Sequence, residues 1–108
     1  MWLRIQSEGN PRFDTEVFAE DQIRQAVMQC CSGDLGDGWI ILLRGETNWI
    51  ETNGKSEIIF RQGSSGVFIY EGPVDSDVLL DVFLGFFQRD EAWKEFYAWR
   101  WEDRDLYP

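Results

Sequence analysis

A chain of 108 residues has room for one domain and one core. Its 44% hydrophobic and 16% aromatic content excludes a disordered chain, despite 28% charged residues. The net charge of −10, shared equally by the two halves, opposes nucleic-acid binding and suits a basic partner.

No apolar run approaches the ~20 residues of a membrane span. The opening "MWLRIQSEGN" lacks the basic start and long apolar stretch of a signal peptide, so a cytoplasmic protein without membrane contact is expected. The adjacent Cys30 and Cys31 have no other cysteine to pair with, and reduced thiols agree with that compartment.

"MWLRIQ" alternates Trp2, Arg4 and Gln6 with Leu3 and Ile5, as a first strand does. "SEGNPRFDTE" reads as a loop broken by Asn10-Pro11. In "VFAEDQIRQAVMQCC", Ile23, Val27 and Cys30 share one helical face with Ala26, and Glu20 and Asp21 suit the helix start. Ala19 as N-cap would set Phe18 and Ile23 as a hydrophobic staple, although alanine caps poorly. "SGDLGDG" ends the helix.

Four antiparallel strands then fill the middle of the chain. "WIILLR" (39–44) is apolar on both faces, and "TNWIET" (47–52) follows across Gly45-Glu46. Asn53-Gly54 signals a hairpin into "SEIIFRQ" (56–62), and "GSSG" turns into "VFIYEG" (67–72). The period changes to about 3.6 in "PVDSDVLLDVFLGFFQRDEAWKEF", capped by Asp75 or Ser76, with a broad stripe from Val78 to Phe87. Gly85 inside it costs roughly 1 kcal/mol against alanine, which a close approach to the sheet would explain. "RDEAWKEF" gives a short second helical piece, and "YAWRW" returns as a strand or an extended arm.

The expected fold is α+β, a four- to five-stranded, mostly antiparallel sheet with two main helices packed on one face. One helix layer cannot bury both faces of a sheet whose strands carry Trp39, Trp49, Phe60, Phe68 and Tyr70. Rings are therefore expected to remain exposed on the second face, while those of the aromatic tail, Trp99, Trp101 and Tyr107 among them, finish the core or cover a strand edge.

The chain has no histidine, which removes the commonest general base, metal ligand and nucleophile activator. "GDLGDG" lacks the Asp spacing and terminal Glu of a calcium loop, and "GSSG" has no following Lys-Ser/Thr. Carboxylate pairs are plentiful, but nothing marks two as buried together for glycoside cleavage. Neither catalytic, cofactor-binding nor metal-binding residues are assigned, and a non-enzymatic protein is expected.

Three stretches carry a likeness to a known group: "EDQIRQAV" on the first helix, "NWIETNG" with "IIFRQG" in the meander, and "DVFLGFFQRDEAWKEFYAWRW". The chain resembles the small bacterial immunity proteins of polymorphic or contact-dependent toxin systems, whose strands carry similar "yIQt" and "eyR-G" patterns. It departs from that group at Glu51, where Gln is common, and at Ala19, where Ser often caps. The resemblance implies an inhibitor that binds and occludes a cognate toxin, often a nuclease or deaminase with a basic surface.

Aromatic and acidic character near the open sheet face makes Trp49, Glu51, Tyr70, Glu71, Trp101, Glu102 and Asp103 the candidate partner contacts. The alternatives are a homo-oligomeric structural or adaptor domain, in which a second copy covers Trp39 and Trp49, and a small-molecule-binding module or enzyme.

Overall fold

The computed structural model describes residues 1–63 and 66–103. Ser64 and Ser65 of the "GSSG" turn, and Arg104 and Tyr107 of the tail, lie outside the described residues. The strands are β1 (Trp2–Gln6), β2 (Phe13–Glu16), β3 (Trp39–Gly45), β4 (Asn48–Thr52), β5 (Ile58–Gln62), β6 (Val67–Tyr70) and β7 (Trp99–Glu102). Helix α1 (Glu20–Ser32) separates β2 from β3, while α2 (Ser76–Gln88) and the short α3 (Ala92–Phe96) separate β6 from β7.

The class is α+β, but the sheet is larger than the four to five strands expected. Seven strands lie in the order β2-β1-β3-β4-β5-β6-β7, with every neighbouring pair antiparallel. The two extra strands are its edges. Phe13–Glu16, read as loop, pairs with β1 through Trp2↔Glu16 to Ile5↔Phe13. Trp99–Glu102 pairs with β6, so the aromatic tail is a strand as far as Glu102.

Strand alternation divides the side chains between two faces. Leu3, Ile40, Leu42, Ile50, Ile58 and Phe60 meet Ile23, Ala26, Val27 and Cys30 of α1 and Leu79, Val82, Phe83 and Phe86 of α2 in the main core. Both helices therefore cover the same face. The other face has a smaller core of its own, Ile41, Trp49, Ile59 and Val67, with no helix residue in it.

Local chemistry explains the helix ends. Ala19 is the N-cap of α1 and offers no side-chain oxygen. Gln22 replaces it: its Oε1 accepts from the N–H groups of Phe18 and Ala19 at 2.6 and 3.1 Å. Its Nε2 donates to Glu16 O at 3.0 Å, tying the helix to β2. Phe18 is 78% exposed, whereas Ile23 is fully buried, so the expected staple does not form. Asp75 caps α2 by accepting from the N–H of Val78 at 2.9 Å.

The Asn53-Gly54 signal yields a longer connection than a two-residue hairpin, because Asn53 Oδ1 accepts from the N–H groups of Lys55, Ser56 and Glu57. That side chain nucleates a five-residue loop and delays β5 to Ile58.

Candidate partner-binding surface

The face of the sheet opposite the helices is the first candidate. The register sets Trp2 opposite Leu43 and Leu43 opposite Trp49 across β1, β3 and β4. Trp49 is only 3% exposed, although no helix covers it. Its cross-strand neighbours explain this. Arg61 stands opposite Trp49, Arg4 opposite Ile41, and Arg100 opposite Ile69, so long arginine stems flank each apolar position.

Charge on this face is partly balanced. Arg4, Arg12, Arg61 and Arg100 accompany Asp14, Glu16, Glu46, Glu51, Glu71 and Glu102. Asp14 accepts from Arg4 at 3.1 Å and lies 3.5 Å from Arg12. Trp2, 52% exposed, borders a groove of about 590 Å³ with Arg4, Asp14, Leu43 and Glu46.

The second candidate is the helical end formed by α2, α3 and the start of β7. From Asp75 to Glu95 there are six carboxylates against two cations, Arg89 and Lys94. This stretch therefore carries a net charge of −4. Phe96 projects from α3 with 79% of its surface exposed, its ring edge-to-face against Tyr97 at 4.9 Å. Asp81, Asp90, Ala92, Trp93 and Phe96 outline a hollow of about 180 Å³ over Gly85.

The hydroxyl of Tyr97 donates to Asp81 Oδ2 at 2.8 Å. Burial, followed by this bond and the Asp81 charge, pushes the Tyr97 phenol up to about 12. The phenol stays neutral and holds the Asp81 carboxylate at the hollow's rim.

The seven residues expected as contacts do not form one patch. Trp49 is buried, and Glu51, half-buried on the same face, lies opposite Ile41 and Ile59. Tyr70 is on the helix face, packed on Tyr97 at 5.8 Å and Trp99 at 5.6 Å. Trp101 shares that face at the β7 edge, 52% exposed and close against Gly66. Glu71 and Glu102 are brought together by Arg100, at 3.6 and 2.8 Å, and Asp103 is exposed just beyond β7.

Comparison with family models, curated proteins and solved structures finds no match.

Among the described residues, no group of three or more Cys, Asp or Glu is placed to hold a metal ion, and no helix is long and apolar enough to cross a membrane. Cys30 is buried and its thiol is pushed up to about 11, first by burial and then by the neighbouring Cys31, which suppresses the nucleophilic thiolate. The residue missed at sequence level is Phe96. Its only signal is a ring lying between Glu95 and Tyr97 in a helix too short to bury every side.

Proposed function

We propose that this chain is a non-enzymatic binding protein of the immunity type, which neutralises a bacterial toxin by docking on it and occluding its basic surface. The observation that carries this reading is the exposed Phe96 ring beside the hollow walled by Asp81 and Asp90, in a stretch of net negative charge. A Lys or Arg of the partner fits such a hollow: carboxylates receive the cation while the ring lies along its stem. Negative charge also speeds encounter with a basic partner, and an exposed ring at the patch centre supplies affinity.

The test is growth rescue. The product of the adjacent reading frame is expressed with and without this chain in a host whose growth it arrests. Wild type restores growth and Phe96→Asp does not, although the variant keeps its melting temperature. Absence of rescue by folded wild type overturns the proposal.

A second reading is favoured by the partly balanced charge of the open face, where two copies of this acidic chain would approach with reduced repulsion. It expects a dimer in light scattering that Trp2→Glu dissociates; a monomer at 100 µM-scale concentration, roughly, rules it out.

A further inference from the structure

A groove of about 500 Å³ runs between α1 and the β1–β2 end of the sheet. Leu3, Ile5, Ala26 and Leu35 give it an apolar floor. Phe13, 58% exposed, stands on the strand side, and Gln22, Gln25 and Gln29 stand on the helix side. No charged side chain lines this groove, although the chain carries −10 and the hollows beside Trp2 and Phe96 both hold carboxylates. Depletion of charge at an exposed surface is the compositional mark of an interface core.

The three glutamines differ in what they hold. Gln22 is committed within the chain, accepting from the N–H groups of Phe18 and Ala19 and donating to Glu16 O. Gln25 and Gln29 are exposed, and neither side chain has a hydrogen-bond partner among the described residues. Four positions apart on one helix face, their Cβ atoms lie roughly 6 Å from each other. Alternate peptide groups of an extended chain repeat at about the same interval, roughly 6.7 Å. A carboxamide offers the acceptor and the donors that a peptide group seeks. Two such amides therefore match successive peptide groups along one side of an extended backbone. From Gln22 to Gln29 the helix rises roughly 10 Å, the length of three extended residues. A charged side chain would give up its hydration in this groove without meeting a counter-charge.

We infer that this groove binds an extended, uncharged peptide segment of a partner protein, its backbone held by the Gln25 and Gln29 carboxamides and its side chains by the apolar floor. Strands β1 and β2 lie at the opposite end of the sheet from β7, so the groove is separate from the docking proposed at Phe96.

The experiment uses the intact chain. A random octapeptide library displayed on phage is panned against it, and the selected sequences are made as capped synthetic peptides. The expected peptides share a run of uncharged residues and shift the backbone amide signals of Phe13, Thr15, Gln25 and Gln29 in nuclear magnetic resonance spectra. Their affinity is the same at low and high salt, because no ion pair forms. Gln25→Ala combined with Gln29→Ala changes two exposed helix positions, so it keeps the melting temperature and weakens the peptides by at least about tenfold. Phe96→Asp leaves their binding unchanged, which separates this site from the acidic one. The inference is overturned if no uncharged run is enriched, if the shifted signals lie elsewhere, or if the double variant binds as wild type does. It is equally overturned if those signals move with protein concentration alone, which assigns the groove to a second copy, or respond to maltotriose and not to the peptides.

Discussion

Trp2 and Trp49 belong to one cross-strand row on the same sheet face, separated by Leu43, yet one is 52% exposed and the other 3%. Burial predicts their energetic weights. Trp49→Ala should cost about 3–5 kcal/mol in urea unfolding, and Trp2→Ala less than about 1 kcal/mol. Equal costs would contradict the small second core. Tyr97 gives a pH-dependent check at the same scale. Its phenol is raised from 10.0 to about 12, so the folded state keeps a proton that the unfolded chain releases. The associated stability is complete below pH 10 and is lost as pH rises through 12. Cys30, raised from 9.0 to about 11, contributes with the same sign from a lower onset. Wild type should therefore lose stability progressively above pH 9, and Tyr97→Phe should flatten the upper part of that slope. At pH 8 a thiol reagent should leave folded Cys30 unmodified, as followed by mass spectrometry.

Helix α2 shows how an element's own preference yields to packing. Intrinsic propensity makes Gly85→Ala stabilising by about 1 kcal/mol. The Trp93 ring instead occupies the space of the new Cβ, at 2.4 Å, with Asp90 O at 3.3 Å. The substitution should lower stability by about 1–3 kcal/mol, read as a shift in denaturation midpoint without change in slope. The expectation of a close approach at Gly85 thus holds, but the neighbour is α3 rather than the sheet. The main helices and central strands were legible because each has one face dictated by burial: Ile23, Val27 and Cys30 in α1, or Ile40 and Leu42 in β3. The edge strand β2 was not, because Phe13, Asp14 and Glu16 are all exposed and leave no buried periodicity to read. Its existence depends on pairing with β1 and on the Arg4–Asp14 contact, which are long-range facts. In the same way, Trp49 looked like a surplus ring because a sequence does not reveal that arginines on adjacent strands will flank it.

For the whole molecule, the informative quantity is where the charge of −10 resides. Composition gives the sign, while the fold places six carboxylates and two cations between Asp75 and Glu95 at the helical end. The proposed docking site consequently shifts from the expected contacts, which divide between two faces, toward Phe96, Asp81 and Asp90, with Trp101 on the adjoining edge strand. The most direct measurement of the proposed docking is calorimetric titration of a toxin domain neutralised by this chain, over a series of salt concentrations. The account predicts affinity that falls steeply with salt and drops at least about tenfold in Phe96→Ala at unchanged stability. Affinity indifferent to both salt and Phe96, in a complex that still forms, would contradict it.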